Sequence, residues 1–265
     1  MADTMKLNEV LNQFYHDGGE EQRLASRYGQ VEFIITTEYI DKYLKPGDRI
    51  LEVGCGTGRY SLHYARKGYE VDAIELVQEN LDIMAQNTLP TDKVRAIQGN
   101  ALDLSAYADE TFDITLVLGP MYHLFTEADK LQCMKEAYRV TKPGGLVYFA
   151  YTQFDASMIQ AGFSRGMYDY LVENAMLDAK SNLPINKPEA IFCLYRKDDI
   201  DQLNRHFAAT RLHYVGTDMY AHYMKETLSG MDERLFAHFV DYTRTICENQ
   251  QLVGISNHVL DILRK

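Results

Sequence analysis

The chain has 265 residues, with 27 Lys and Arg against 38 Asp and Glu, so its formal net charge is −11. This length allows a large hydrophobic core, and the 46% hydrophobic and 25% charged residues are typical of a globular protein. Acidic residues outnumber basic ones in each segment: 8 to 5 in residues 1–45, 15 to 10 in 46–150, and 15 to 12 in 151–265. No segment offers the basic footprint of a protein that binds nucleic-acid phosphates, so we expect no nucleic-acid partner.

The sequence carries no recognisable membrane, secretory or metal-binding signature. No stretch approaches the ~20 apolar residues of a membrane-spanning helix, and the N-terminus lacks the basic start and apolar run of a signal peptide. The four cysteines are scattered without a C-x-x-C pair: Cys55, Cys133, Cys193 and Cys247. Their spacing indicates neither a zinc site nor a disulfide framework, and no His, Asp and Glu cluster has metal-ligand spacing. We therefore expect a cytoplasmic protein without a membrane partner or a metal.

The first 45 residues are expected to form a helical cap. Apolar residues recur there at helical spacing in two groups: Leu7, Val10, Leu11 and Phe14, and then Phe33, Ile34, Ile40 and Leu44. Pro46-Gly47-Asp48 breaks the second of these helices.

Strands and helices alternate regularly across residues 46–152. The predicted strands cover residues 49–53, 69–74, 94–98, 112–118 and 146–151, and the predicted helices cover 59–67, 78–86 and 127–140. This alternation is typical of βαβ units, in which the strands form a parallel sheet with helices on both faces. It predicts a Rossmann-like α/β core.

The alternation stops after residue 152. The later pattern predicts a helix at 198–207, capped by Asp198 or Asp199, a strand at 210–215, a helical stretch at 226–250 and a strand at 256–263. Two irregular parts rich in Tyr, Phe and Met, 153–195 and 218–252, are interpreted as a lid over the sheet and as the pocket for a small molecule. Residues 153–265 would then supply lid insertions and the closing hairpin of the same sheet, within a single domain. The alternative for these apolar side chains is ordinary core or the interface of a homodimer.

A glycine-rich turn joins the first predicted strand to the first helix of the core, in the sequence Leu51-Glu52-Val53-Gly54-Cys55-Gly56-Thr57-Gly58-Arg59. Open α/β sheets bind ligands at this place, because glycine lets the backbone approach the ligand and the next helix N-terminus favours negative groups. Arg59 stands where the dinucleotide fingerprint Gly-x-Gly-x-x-Gly needs its third glycine, and no Gly-Lys-Ser/Thr of a P-loop follows. The alternative is that the glycines serve only to make a tight turn.

Glu75 follows the second predicted strand, 17 residues after Gly58. In nucleotide-binding βαβ units, an acid about 20 residues beyond the glycine loop accepts hydrogen bonds from ribose hydroxyls. Alone, Glu75 is also compatible with a solvated helix-capping acid. Together with the glycine loop it predicts a nucleoside ligand.

Residues 46–150 resemble the class I S-adenosylmethionine-dependent methyltransferases, with a general likeness to the ubiquinone and menaquinone methyltransferases that act on small molecules. The resemblance rests on five ordered motifs: the glycine loop, Glu75, Gly99-Asn100-Ala101, the strand at 112–118 and the segment 139–145. It implies a seven-stranded, mostly parallel sheet with helices on both faces, whose last two strands form a hairpin with the last strand antiparallel. The predicted strands at 210–215 and 256–263 suit that hairpin.

The resemblance also implies a binding site for S-adenosylmethionine, whose demethylated product is S-adenosylhomocysteine. Its implied members are Gly54, Gly56 and Gly58 under the methionyl part and the ribose, Glu52 at the amino group, Glu75 on the ribose hydroxyls, Cys55 and Leu76 beside them, Asn100 and Ala101 along the adenine, and Leu118 at the amino-acid end. An aspartate is usual where Asn100 stands, but Asn100 keeps a carbonyl acceptor.

The N-terminal segment is expected to close over the methionine end of this cofactor. Tyr15 is a candidate for that closure, and Arg27 is a candidate to pair with the cofactor carboxylate as a bidentate fork. Arg23 is an equal rival for this role, and a solvent-facing side chain is the alternative for Arg27.

The loop after the fourth strand, Gly119-Pro120-Met121-Tyr122-His123, is where the methyl group should face the acceptor. His123 is a candidate general base and Tyr122 a candidate pocket wall. The alternative for His123 is a hydrogen bond to a backbone carbonyl. The loop lacks the Asn/Asp-Pro-Pro-Tyr/Phe motif of methyltransferases that act on exocyclic amines of bases or on protein glutamine.

We therefore predict the transfer of a methyl group from S-adenosylmethionine to a small-molecule acceptor, catalysed mainly by proximity and orientation. The alternatives are an RNA or protein methyltransferase, or a catalytically silent protein that binds S-adenosylmethionine.

Overall fold

The computed structural model describes Arg23 and residues 26–265. In its first half the helices and strands are α1 (Arg27–Asp41), β1 (Arg49–Val53), α2 (Arg59–Arg66), β2 (Glu70–Glu75), α3 (Gln78–Asn87), β3 (Val94–Gln98), β4 (Phe112–Val117), α4 (Glu127–Val140) and β5 (Thr141–Gln153). Their order is the one predicted from the sequence. A short 3₁₀ turn at Pro120–Tyr122 follows β4.

The second half holds shorter elements before the sheet resumes. They are α5 (Phe154–Ser157), a π-helix (Met158–Ser164), α6 (Tyr168–Glu173), β6 (Leu177–Asp178), β7 (Leu183–Pro184), β8 (Leu194–Tyr195), α7 (Lys197–Asn204), β9 (Thr210–Gly216), α8 (Lys225–Ser229), α9 (Glu233–Ile246) and β10 (His258–Arg264). Short 3₁₀ turns lie at Pro188–Ala190, Met219–Tyr223 and Val253–Ile255.

One sheet contains the strands of both halves, in the order β3-β2-β1-β4-β5-β10-β9. Neighbouring strands from β3 to β5 are parallel, whereas β10 is antiparallel to both β5 and β9. This arrangement confirms the Rossmann-like fold and the antiparallel closing strand. The short β8 pairs in parallel with the end of β5 and adds an eighth strand that the sequence pattern did not indicate.

The core lies on both faces of this sheet because the central strands are buried on both sides. Side chains on one face of the sheet, such as Val53, Val117 and Phe149, form a hydrophobic cluster with α4 and α7. Side chains on the other face, such as Leu116 and Tyr148, pack with α1, α2 and α9. Strands that are covered on both faces read as nearly continuous apolar runs, which explains why the sequence pattern located them well.

Two predicted helices differ in detail from those observed. The N-cap of α7 is Arg196, whose backbone N–H donates to the Asp199 carboxylate at 2.8 Å, so neither Asp198 nor Asp199 is the cap. The predicted helix at 226–250 is two helices, α8 and α9, separated at Gly230. Asp232 caps α9 by accepting from the Leu235 N–H at 2.8 Å, so the chain restarts the helix there.

In the described part of the chain, no helix is both long enough and apolar enough to cross a membrane.

Candidate functional site

A cavity of about 1200 Å³ lies at the carboxyl ends of the parallel strands. Its floor is formed by residues after β1, β2 and β4 and by Thr152 and His258, which face each other across β5 and β10. Many residues of the segment 154–192 also line the cavity, and this segment is called the lid below. Pockets for one small ligand measure about 300–1,000 Å³, so this volume has room for a cofactor together with an acceptor.

The glycine loop reaches the cavity with two of its three glycines. At Gly54 (φ +73°) the missing side chain lets the loop after β4 pack against the glycine loop, because a Cβ at Gly54 would lie 2.7 Å from Cδ of Pro120. Gly56 lines the cavity, and a Cβ there would meet nothing within 4 Å. Gly58 does not line the cavity. It caps α2 with φ +85°, and a Cβ there would lie 2.5 Å from Cγ of Met84, so Gly58 serves the turn and its packing.

Glu75 is buried at the end of β2, and its carboxylate is tied to the glycine loop. Oε2 accepts from the Gly56 N–H at 2.7 Å and Oε1 from the Val77 N–H at 2.9 Å. The Asn80 side-chain amide also donates to Oε1, at 3.4 Å. A carboxylate offers about four lone pairs, so these three bonds leave limited acceptor capacity toward the cavity that Glu75 lines.

Glu52 lies beneath the same loop and is only 2% exposed. Its carboxylate accepts a hydrogen bond from the Ser61 hydroxyl. Burial raises the pKa of Glu52 to about 8, against the opposing effect of the Ser61 hydrogen bond and with a further contribution from the Glu75 charge. A carboxyl of this kind is mostly protonated at neutral pH, and it ionises readily when a cation approaches it.

The other predicted cofactor residues line the same cavity: Cys55, Leu76, Asn100, Ala101 and Leu118. Burial raises the pKa of the Cys55 thiol well above its usual value, which leaves the thiol neutral. The Asn100 side-chain oxygen accepts from the Leu102 N–H at 2.9 Å and keeps a second lone pair.

Of the two residues predicted to reach the cofactor from the N-terminal segment, the structure describes only Arg27. Tyr15 lies outside the described residues. Arg27 does not line the cavity: its guanidinium pairs with Glu233 at 2.5 Å and stacks over the Phe236 ring, because α9 packs beside α1 there. The rival Arg23 does line the cavity, where it pairs with Glu32 at 2.5 Å.

Tyr122 and His123 line the cavity, and this loop is hydrogen-bonded to the lid and to β8. The Ile191 carbonyl lies 2.8 Å from Nδ1 of His123, the Cys193 N–H donates to the Tyr122 carbonyl at 2.6 Å, and the Tyr195 hydroxyl donates to the Met121 carbonyl at 2.7 Å. Since a carbonyl only accepts, the proton of a neutral His123 is on Nδ1 and the lone pair is on Nε2. Burial lowers the pKa of His123, which keeps the ring neutral.

A buried charged cluster at the β9–β10 edge was not indicated by the sequence. Nδ1 of His258 lies 2.9 Å from Oδ2 of Asp218 and 3.4 Å from Oε2 of Glu32. Burial alone would lower the pKa of His258, but the two carboxylates outweigh it and raise that pKa. The same imidazole, with Ser256, holds the pKa of Asp218 at about 2 despite its burial.

These three residues also have the spacing of a cation site, with one ligand atom of each within 4.8 Å of the other two. In the arrangement observed, Arg23 supplies positive charge to Glu32, and His258 adds a further positive charge when it is protonated. Because Asp218 and His258 follow β9 and begin β10, the predicted hairpin could have placed these two together. Nothing in the sequence marks Glu32 as their partner.

Comparison with known proteins finds a family match for part of the chain that lines this cavity. Residues 50–145 match the family described as "Methyltransferase domain". The chain is 35% identical over 108 residues to a demethylmenaquinone methyltransferase of Lysinibacillus sphaericus (39% of this chain, 44% of that protein), and 30% identical over 151 residues to an uncharacterized methyltransferase of Schizosaccharomyces pombe (53% of each). The chain therefore spans about half the length of these curated relatives.

The fold is also that of a solved protein described as an S-adenosylmethionine-dependent methyltransferase, from Methanosarcina mazei. The two share 18% identity and a TM-score of 0.56, over 86% of this chain and 96% of the other. Together these comparisons confirm the resemblance to class I S-adenosylmethionine-dependent methyltransferases that the ordered motifs indicated.

Proposed function

We propose that this chain, whose residues 50–145 form a class I methyltransferase domain, transfers a methyl group from S-adenosylmethionine to a small-molecule acceptor in the cytoplasm. One observation carries the proposal. A single cavity of about 1200 Å³ holds the glycine loop, Glu52 and Glu75 at one end and a separate set of polar and aromatic side chains under a lid at the other.

The proposed cofactor end uses the residues that the resemblance implied, with one replacement. Glu75 accepts the ribose hydroxyls, Asn100 and Ala101 border the adenine, and Glu52 faces the cationic methionyl end. We assign the cofactor carboxylate to Arg23 rather than Arg27, because Arg23 lines the cavity and Arg27 is held outside it by Glu233. S-Adenosylmethionine supplies an activated methyl group on a sulfonium, so this chain does not have to create a leaving group.

Orientation supplies most of the proposed catalysis. Holding two reactants in line can lower a barrier by roughly 7–11 kcal/mol. The hydrogen bonds between the Met121–His123 loop and Ile191, Cys193 and Tyr195 fix the wall against which the acceptor would be held. We propose His123 as the general base for an acceptor that arrives protonated, with Nε2 as the accepting atom, and Tyr122 as part of the wall.

The acceptor side of the cavity supports a small molecule over a macromolecule. Aromatic and methionine side chains of the lid, such as Phe154, Met158 and Phe192, line the cavity and offer an apolar wall to a small molecule. The net charge of −11 also disfavours RNA. The Lysinibacillus relative is named for a small quinone-type acceptor, which agrees with this class without identifying the compound.

The test is methyl transfer from methyl-labelled S-adenosylmethionine to a cellular extract separated into metabolites, RNA and protein. We expect label in the metabolite fraction with the wild-type protein and much less, at a subsaturating cofactor concentration, with Glu75→Ala, the control whose cofactor binding should be weakened. Label found only in RNA or protein would refute the small-molecule acceptor. Tight cofactor binding without transfer to any fraction would refute the methyltransferase activity itself.

A further inference from the structure

Two cations, Lys225 and Arg165, line the cavity close enough for their charges to act on each other. Lys225 begins α8 and is half-buried, with Nζ 4.4 Å from the centre of the Tyr28 ring. Arg165 follows the π-helix of the lid and is exposed. Both line the cavity, and neither forms an ion pair with an acidic side chain in the part of the chain that the structure describes.

Of the other cations that line the cavity, Arg23 and His258 have acidic partners, and Lys187 donates to the Asn174 carbonyl. Arg23 is paired with Glu32, and His258 lies between Glu32 and Asp218. The positive charges of Lys225 and Arg165 therefore act on the cavity with less local compensation. Burial lowers the pKa of Lys225, and the positive charges of Arg165 and Arg23 lower it further, against the opposing effect of the Asp218 carboxylate.

A buried polar atom lies near these cations. His222 is 8% exposed and lines the cavity, and its buried Nδ1 forms no hydrogen bond with any residue that the structure describes. Burial lowers the pKa of His222 to about 4, so the ring is neutral and offers either a donor or an acceptor there. A buried polar atom without a partner is unfavourable, and a ligand that supplies the missing hydrogen bond removes that cost.

The two cation-bearing segments are held together across the cavity. The Gln160 side-chain amide of the π-helix donates to the His222 carbonyl at 2.9 Å, which ties the segment of Arg165 to the segment of Lys225. Apolar side chains of the lid, including Phe154, Met158 and Leu171, line the same space. The site therefore offers two positive charges and one neutral ring beside an apolar wall.

We infer that the methyl acceptor is a small molecule with an anionic group, a carboxylate or a phosphate, which binds Lys225 and Arg165 and hydrogen-bonds to His222. This inference rests on the proposed function, and it specifies the acceptor class of that same site. The anion neutralises the two cations, and the apolar body of the acceptor lies against the lid. The assigned cofactor residues after β1, β2, β3 and β4 belong to other segments than these contacts, and Arg23, assigned to the cofactor carboxylate, lies near enough to Lys225 for its charge to act there.

A binding experiment tests the anion site without requiring turnover. Protein saturated with S-adenosylhomocysteine is titrated with benzoate, with inorganic phosphate and with uncharged benzyl alcohol, and binding is followed by calorimetry or NMR. We expect saturable binding of benzoate or phosphate but not of benzyl alcohol, and whichever anion binds identifies the carboxylate or the phosphate as the recognised group. Lys225→Met and Arg165→Gln should each weaken that binding by roughly tenfold, since each removes a charge-assisted contact.

The matched controls are Lys93→Met, at the opposite edge of the sheet, and Arg205→Gln, on the surface after α7; both side chains are exposed and neither lines the cavity. They should bind the anion as the wild type does, and all four variants should bind S-adenosylhomocysteine normally. Absence of saturable anion binding, or equal binding by Lys225→Met and Arg165→Gln, would overturn the inference. So would a loss of S-adenosylhomocysteine affinity in these two variants, because it would show that the cations hold the cofactor.

A transfer experiment then examines the acceptor directly. A metabolite extract is divided on an anion-exchange resin, and each fraction is incubated with labelled S-adenosylmethionine. We expect the methylated compound in the retained, anionic fraction, whereas label confined to the unretained fraction would contradict an anionic acceptor. Absence of transfer in every fraction would count against the proposed function, and the binding experiment would still decide on the anion site.

Discussion

Oε2 of Glu75 accepts a hydrogen bond from the backbone N–H of Gly56 at 2.7 Å. The acid that should hold the ribose is thereby attached to the glycine loop on which the cofactor should lie. A ligand that engages Glu75 also meets a loop already held in place, which reduces the ordering cost of binding.

We expect Glu75→Ala to weaken S-adenosylhomocysteine binding by roughly 10²-fold, because hydrogen bonds to a charged group contribute about 1.5–3 kcal/mol each. Isothermal titration calorimetry measures the change. Glu70→Ala is the matched control, since Glu70 begins the same strand at its exposed opposite end. If Glu75→Ala binds as tightly as Glu70→Ala, the assignment of the ribose to this residue is wrong.

Glu52 should make cofactor binding depend on pH. Its pKa of about 8 leaves it protonated in the free protein, and a bound cation favours the ionised form. Binding should then release a proton, so that affinity rises by up to about tenfold per pH unit between pH 6 and 7.5. Titration in buffers of different ionisation enthalpy counts the released protons.

The control for Glu52 separates its proton from those of the ligand and of other groups. The amino group of the cofactor also titrates in the alkaline range, and its deprotonation would lower the affinity as pH rises further. Glu52→Gln keeps a hydrogen-bond acceptor for Ser61 but does not titrate, so the affinity of this variant should lose the increase below pH 7.5. An identical pH profile in wild type and Glu52→Gln would exclude Glu52 as the source.

Arg23 and Arg27 can be compared directly as partners of the cofactor carboxylate. We expect Arg23→Ala to weaken S-adenosylhomocysteine binding by roughly tenfold, the effect of one charge-assisted pair. Arg27→Ala should leave the affinity unchanged and reduce the free energy of unfolding by less than about 1 kcal/mol, because its pair with Glu233 is exposed. The reverse result would restore the assignment to Arg27.

The contrast between these arginines shows where sequence information ends. The glycine loop, Glu75 and the core strands could be predicted because local pattern determines them: buried strands are apolar runs, and glycine marks a turn near a ligand. Arg27 could not be placed, because its partner Glu233 belongs to α9, which is 206 residues away in the chain. The cluster of Glu32, Asp218 and His258 likewise forms only when α1 packs against the closing hairpin.

The cluster around His258 should stabilise the fold in a pH-dependent way. The pKa of His258 is raised in the folded chain, so its stabilisation is complete below the pKa of the unfolded state, near 6.5, and is lost as pH rises through the folded value. Because removing one partner of a buried pair costs about 3–5 kcal/mol, His258→Ala should lower the free energy of unfolding strongly at pH 6 and less at pH 9.

Denaturant unfolding of wild type and variant at these two pH values measures the difference. His206→Ala, which changes an exposed histidine, should have little effect at either pH. A destabilisation by His258→Ala that is equal at pH 6 and pH 9 would mean that the imidazole contributes packing rather than charge.

His123 has two candidate roles, and a pair of substitutions distinguishes them. The ring is tied through Nδ1 to the Ile191 carbonyl at 2.8 Å, and Ile191 itself has the unfavourable φ of +65°, so the lid accepts backbone strain at this contact. His123→Ala removes both the hydrogen bond to the Ile191 carbonyl and the candidate base. His123→Asn keeps an N–H that can donate to the Ile191 carbonyl, but it has no titratable nitrogen.

If His123 is the general base, turnover should fall by about 10²-fold or more in both variants while S-adenosylhomocysteine affinity stays unchanged. Burial lowers the pKa of His123, so the wild-type rate should be level around neutral pH and should decline only on acidification, as the imidazole becomes protonated. Single-turnover rates, measured with an extract fraction that supports transfer, test this expectation. Tyr195→Phe is the control, because it removes the hydrogen bond from Tyr195 in β8 to the Met121 carbonyl of the same loop and leaves His123 unchanged. Recovery of turnover in His123→Asn would show instead that the residue serves to position the lid.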